Sequence, residues 1–334
     1  MKGILIAGLI LISLGSLVGC SQAEPERATI FAMDTVMTLT IYGDEASAAR
    51  QRAAQEIHRL EELFSVTLAD SDIARINQSA GESVTVEPET AAILAETVAI
   101  WRETGGAFSP ALHPVLQAWG FTTGAYQIPD ADDLTALLAH TNPADIMLDG
   151  TQVTVPAGME LDLGAVVKGY AGDVLAALMV EMGIETAIFS LGGDVYAVGE
   201  RPGGGPWRVA IRDPFGDGDI GVVGVRDQIV STSGSYERYF IGPDGVAYHH
   251  ILDPATGRPA ESGLVSVTVI ASNGTRGDAI STALFVMGLA EGAIFAAQRA
   301  DIEVIFVTEA GELHVTEGLK DRFTPGDGRK ISWI

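Results

Sequence analysis

The chain has 334 residues, 47% of them apolar, with a single cysteine and a formal net charge of −24. That length supports one large domain or two modest ones, and the acidity excludes nucleic acid as a partner, because a phosphate backbone demands a basic face. One cysteine excludes an internal disulfide and a thiolate zinc site.

Lys2 is the only charged side chain before residue 20, and residues 4–14 are almost wholly apolar. A membrane-spanning helix needs about 20 residues, so this shorter run reads as a secretory signal. Leu17-Val18-Gly19-Cys20 then puts the cysteine where a lipoprotein signal peptidase cuts. Residues 1–19 are therefore expected to be removed and Cys20 to be acylated. Such an anchor holds the protein to a bacterial membrane, facing the periplasm or the cell exterior. Residues 20–28 read as a polar tether and residues 29–334 as the folded domain.

Thr35–Tyr42 alternates as a strand, and Ala49, Ala53, Ile57, Leu60 and Phe64 recur at helical spacing. A helix begins at Pro88 and stops before Gly105-Gly106. A third helix is predicted over 164–182, ended by Gly183. Strands follow at 187–189 and 195–198 around Gly192-Gly193-Asp194, then at 207–211, Leu264–Ala271 and 304–307. Residues 278–289 read as a helix, and Ala310-Gly311 turns the chain into Leu313–Val315. The stretches 201–206 and 214–221 read as surface loops. Strands and helices mix without a repeat, which predicts a single α+β domain.

Four segments interrupt this apolar pattern with glycine and polar groups. Gly105-Gly106-Ala107-Phe108-Ser109-Pro110, running on to Trp119-Gly120-Phe121, is a helix end and a loop. In Leu161-Asp162-Leu163-Gly164-Ala165-Val166-Val167-Lys168-Gly169-Tyr170 an acidic residue ends a strand, a glycine opens a helix and a lysine follows. The unpaired N–H groups of a helix N-terminus suit anionic oxygen. The same residues also fit Asp162 as a plain cap and Lys168 as a solvated charge. Ser231-Thr232-Ser233-Gly234-Ser235-Tyr236, in which Thr232-Ser233-Gly234 reads as a turn, leads to His249-His250-Ile251-Leu252-Asp253-Pro254-Ala255-Thr256-Gly257. Asp-Pro-x-Thr-Gly is a turn sequence, and neutral imidazole is the usual general base near pH 7. In Gly277-Asp278-Ala279-Ile280-Ser281-Thr282, residues four apart share a helix face, so the Asp278 carboxylate and Thr282 hydroxyl converge. Two hard oxygens suit Mg²⁺, which takes one or two carboxylates plus phosphate oxygens. A capping Asp278 and a Thr282 bonded back to a carbonyl fit equally well.

In this order, the four segments resemble the FAD:protein FMN transferase (ApbE) family, from Met33-Asp34-Thr35 to the Asp278 helix. The resemblance implies an ApbE-like fold with antiparallel sheets and packed helices, and makes residues 29–334 a catalytic domain. It implies Mg²⁺ on Ala165 (main-chain carbonyl), Asp278 and Thr282, and flavin-nucleotide contacts at Met33, Ala107, Phe108, Ser109, Asp162, Lys168, Ile251 and Leu252. His250 matches the histidine invoked in catalysis, beside Asp278. Some positions depart from the family: Asp34 stands where glycine is common, Ser109 where aspartate is common, and Thr67 where an aromatic is common. Ser281 replaces an acidic metal residue of some members, which favours one Mg²⁺.

The implied reaction splits FAD and attaches FMN to a threonine or serine of an acceptor protein, a membrane redox complex subunit, with release of AMP. Hydrolysis of FAD to FMN and AMP is the alternative at the same site, and a non-enzymatic flavin-binding lipoprotein is the alternative of another class.

Overall fold

The computed structural model describes residues 24–326 and 328–334. The expected signal peptide and Cys20 lie outside the described residues.

β1 (Glu26–Ala32) and β2 (Thr35–Tyr42) form an antiparallel hairpin with Ala32 opposite Thr35. Its two-residue turn, Met33-Asp34, has both residues in the left-handed region, with φ of 52° and 58°. That conformation matches the right-handed twist of paired strands, although side chains adopt it reluctantly. The sheet therefore starts at Glu26, three residues before the expected start of the folded domain at 29. Glu26 already pairs with Ile41, and Ile30 and Ala32 turn inward.

Next come α1 (Ala46–Phe64), α2 (Asp72–Asn77), β3 (Val84–Thr85) and α3 (Pro88–Glu103). The buried face of α1 is Ala46, Ala49, Ala53, Ile57, Leu60 and Phe64, the stripe read from the sequence. α4 (His113–Trp119), ended by Gly120 at φ 80°, and α5 (Ala131–Leu138) precede the short pair β4 (Met147–Asp149) and β5 (Gln152–Thr154). No strand leads into Asp162, contrary to expectation. The extended backbone there bonds instead to the Asn77 side chain, which holds both Leu161 N–H and C=O, and to the Pro110 carbonyl.

α6 (Val167–Glu181) starts three residues later than 164, because Gly164–Val166 form a turn closed by the Leu163 carbonyl. β6 (Thr186–Leu191) and β7 (Asp194–Gly199) meet across Gly192-Gly193, both at positive φ. β8 (Trp207–Arg212), β9 (Asp219–Val225) and β10 (Gln228–Gly234) follow. Two expectations change here. Residues 219–221 belong to β9 rather than to a loop, and Thr232-Ser233-Gly234 is strand, with Thr232 opposite Thr268. Serine and threonine read as turn formers locally, but ladder pairing on both sides holds β10 extended.

β11 (Tyr239–Ile241) and β12 (Ala247–His249) pair only with each other among the described residues. β13 (Leu264–Ala271) leads into α7 (Gly274–Ala297), then β14 (Ile302–Thr308), β15 (Leu313–Val315), β16 (Phe323–Pro325) and β17 (Ile331–Trp333). α7 begins four residues before the expected 278, where the Asn273 side chain caps Arg276 N–H. It also runs past 289, broken only by the non-helical backbone of Gly288.

Among the described residues, nine strands form the main sheet in the order β1-β2-β6-β7-β10-β13-β14-β15-β17. Neighbours are antiparallel apart from β15 and β17. Helices α1, α6 and α7 cover one face through a core that includes Leu39, Phe189, Val269, Phe285 and Phe306. The β16-β9-β8 sheet covers part of the other, packing Val209, Val223 and Phe323 against Val230, Ile270 and Ile305. Central strands are thus buried on both faces, which is why β13 reads as a continuous apolar run. The expected mixed α+β domain with antiparallel sheets and packed helices is what forms.

Candidate active site

α6 and α7 touch backbone to backbone. A Cβ on Gly169 would lie 2.0 Å from the Gly274 carbonyl oxygen and 2.9 Å from Asp278 Cβ, so neither glycine tolerates a side chain. Asp173 of α6 locks the crossing. Its carboxylate accepts Gly274 N–H at 2.6 Å, Thr275 N–H at 2.9 Å and the Thr275 hydroxyl at 3.0 Å, and so caps α7 from another helix.

This contact delivers Asp278, buried at 4% exposure, to the first turn of α6. Gly169 N–H donates to Asp278 Oδ2 at 3.1 Å. Lys168 Nζ lies 3.3 and 3.2 Å from the two Asp278 oxygens, 3.1 Å from the Gly164 carbonyl and 3.6 Å from Asp194. One turn along α7, the Thr282 hydroxyl is 3.1 Å from Ser233 Oγ, which also meets Ser281 Oγ at 2.8 Å. Asp278 and Lys168 are therefore brought together at the start of α6, with Thr282 one turn further along α7.

Asp194 was read from sequence only as part of a glycine turn. It is 2% exposed, accepts Thr232 N–H at 3.2 Å and leaves Oδ2 buried without a hydrogen bond. Burial and the neighbouring Asp278 charge push its carboxyl up. Burial opposes the Lys168 charge, but the Asp278 and Asp194 carboxylates outweigh it and raise the ammonium's pKa. Two buried carboxylates thus share one ammonium, and a cation of higher charge fits the negative remainder. Among the described residues no cluster of three His, Cys, Asp or Glu side chains stands ready for a metal. The donor set suits Mg²⁺ completed by water and phosphate oxygens rather than a closed protein cage.

Asp162 does not cap α6. Its Oδ1 accepts Gly164 N–H at 2.7 Å and its Oδ2 meets His113 Nδ1 at 3.2 Å. Burial pushes this carboxyl up, but the bonds from His113 and Gly164 prevail and hold it low. His113 is one of six histidines and was missed in the sequence, where it carries no motif.

His250 follows β12. Its Nδ1 lies 3.1 Å from the Arg238 carbonyl, and a carbonyl only accepts, so Nδ1 carries the proton and Nε2 keeps a lone pair. Burial, then the Arg238 charge, push this imidazole down to about 4, so it is neutral near pH 7. Phe121 stands edge-on to it at 6.3 Å, within an aromatic cluster of Trp119, Tyr126, Phe240 and Tyr248. The Asp253–Gly257 segment forms the expected turn, and Trp119 Nε1 donates to the Gly257 carbonyl at 2.7 Å.

The remaining expected contacts differ in what they offer. Met33 N–H is held by Glu61 Oε1 at 2.7 Å. The Phe108, Ile251 and Leu252 side chains are core, each 4% exposed or less, so main chain rather than side chain is what these positions can present. Ala107 packs partly buried against the same core, and Ser109 Oγ accepts Ala111 N–H at 3.2 Å. Thr67 sits in a polar turn beside Ser65 Oγ at 3.0 Å and offers no aromatic face.

A half-buried ammonium and acidic oxygens around one helix start, with a neutral imidazole nearby, suit a phosphorylated ligand on an α+β scaffold. The model of the ApbE family matches residues 33–306. The FAD:protein FMN transferase of Klebsiella pneumoniae is 37% identical over 88% of this chain and 93% of its own length. That of Treponema pallidum is 32% identical over 98% and 96%. The crystal structure of the ApbE protein from Thermotoga maritima superposes with a TM-score of 0.84 at 32% identity, over 90% of this chain and 99% of that one. The chain belongs to the ApbE family.

Proposed function

We propose that this protein is a flavin transferase that cleaves FAD and joins the FMN half to a serine or threonine hydroxyl of an acceptor protein, releasing AMP. The observation that carries this reading is the Lys168 ammonium on the Asp278 carboxylate at the start of α6, with Thr282 one turn further along α7 and His250 neutral nearby. Transfer forms a bond from the hydroxyl oxygen to the FMN-side phosphorus and breaks the bond from that phosphorus to the bridging oxygen, which leaves with AMP.

Mg²⁺ held by Asp278, Thr282 and the Ala165 carbonyl would supply charge neutralisation across the pyrophosphate. Lys168 adds a fixed positive charge at the same place. Phosphoryl transfer is accelerated mainly by such positioning and electrostatics. His250 Nε2 accepts the hydroxyl proton, its ring held by the Arg238 carbonyl. Met33, Ala107, Phe108, Ser109, Asp162, Ile251 and Leu252 line the flavin-nucleotide side in this reading.

The pattern ending at Cys20 supports a lipid anchor, with the enzyme on the outer side of the membrane beside a redox subunit as acceptor. Incubation of the protein with FAD and Mg²⁺, with and without an acceptor peptide, tests the reaction. AMP released together with a covalently flavinylated peptide supports transfer. Equal AMP and free FMN without acceptor make it a hydrolase, and tight FAD binding without AMP makes it a carrier.

A further inference from the structure

The segment just before β11 links two parts of the site that lie far apart in sequence. The Arg238 carbonyl accepts both His250 N–H at 3.0 Å and His250 Nδ1–H at 3.1 Å. The guanidinium of the same residue reaches Asp34 Oδ2 at 3.1 Å, in the left-handed turn that carries Met33. Met33 N–H is itself fixed from α1 by Glu61. Neither Arg238 nor this bridge belongs to the motifs that mark the site in sequence.

We propose that Arg238 is a positioning residue of the transfer site, whose main chain sets the His250 imidazole while its side chain ties the Met33-Asp34 turn to the same hairpin. This rests on His250 being the base of the proposed transfer. The ion pair is exposed, with Asp34 83% accessible, so it adds little to stability. Its consequence is geometric and electrostatic instead. The Arg238 charge bears on His250 from the hairpin and on Asp162 from the side of the α6 turn. The other charged or titratable groups facing His250 are His249 beside it and Lys168 on α6, both of which also disfavour a proton on the imidazole. Among these, Arg238 alone is tied to the β1–β2 turn.

The test titrates the six histidines of the full chain by NMR, and measures kcat and KM for FAD, in Arg238→Gln, Arg238→Lys and Asp34→Asn. In Arg238→Gln the His250 midpoint should rise by about one pH unit, a tenfold gain in proton affinity, with KM for FAD raised severalfold. Arg238→Lys keeps the charge and loses the planar fork. It should restore the midpoint and leave KM raised. Asp34→Asn should raise KM with the midpoint unchanged. An unmoved His250 midpoint in Arg238→Gln, with the melting temperature preserved, overturns the proposal, as does an unchanged KM in Asp34→Asn. The NMR midpoint needs no turnover, so a shifted midpoint in a protein that releases no AMP would refute the transferase reading and leave the Arg238–His250 coupling standing.

Discussion

Asp278 has two partners at the start of α6, the Lys168 ammonium and the Gly169 N–H, and the Thr282 hydroxyl follows one helical turn along α7. Asp278→Ala is expected to abolish Mg²⁺-dependent AMP release while the circular dichroism spectrum stays native, and unchanged release across a Mg²⁺ titration would remove the proposed metal site. His250→Ala should slow transfer far more than it weakens FAD binding, as read by single-turnover kinetics against fluorescence titration. The pH profile follows from the same residue. A base works only when deprotonated, so activity is present above its pKa and lost as pH falls through it. With His250 depressed to about 4, the acid limb should lie well below that of a free imidazole near 6.5. Asp278, Thr282 and His250 were legible in the sequence because spacing on a helix or within a turn motif marks them. Asp194, His113 and Arg238 were not, because each acts through a partner on another element: Asp194 with Lys168, His113 with Asp162 and Arg238 with Asp34.

Elements decide whether those residues meet. The α6–α7 crossing leaves no room between Gly169 and Gly274, so Gly169→Ala must push the helices apart. Overpacking of this kind typically costs about 1–3 kcal/mol, and here it also withdraws Asp278 from Lys168. A urea midpoint shift together with weaker divalent-cation binding by calorimetry is the expected pair of results. Asp173→Ala removes the cross-helix cap of α7. Leaving Gly274 and Thr275 N–H without acceptors should cost about 2 kcal/mol, measured in the same urea titration. Local pattern revealed α1 through its buried stripe and α3 through Pro88 and Gly105-Gly106 at its ends, whereas α7, buried on several faces, has no single stripe. Local pattern misread β10, whose Ser231-Thr232-Ser233 look like a turn until pairing with β7 and β13 is known.

At the scale of the whole molecule, the site sits where α6 and α7 lie against the main sheet, and β1 begins at Glu26. Five residues, 21–25, therefore separate Cys20 from the sheet. At about 3.5 Å per extended residue, an anchored domain would stay within about 20 Å of the lipid surface. Palmitate labelling should mark the wild type and not Cys20→Ser, which should also move from the membrane to the soluble fraction. Labelling that survives the substitution would dismiss the anchor. The net charge of −24 suits a solvated surface and carries no part of the chemistry.

Local order along the chain determined the class of fold, seven of the seventeen strands among the described residues and the segments proposed to carry the chemistry. Hydrophobic period, glycine and turn residues act over a few positions and can be read there. Only the tertiary structure decided that Asp194 and Asp278 share Lys168, that Asp162 answers to His113 and that Arg238 spans from Asp34 to His250. Those are pairings between elements, and nothing within any one element encodes the distance to its partner.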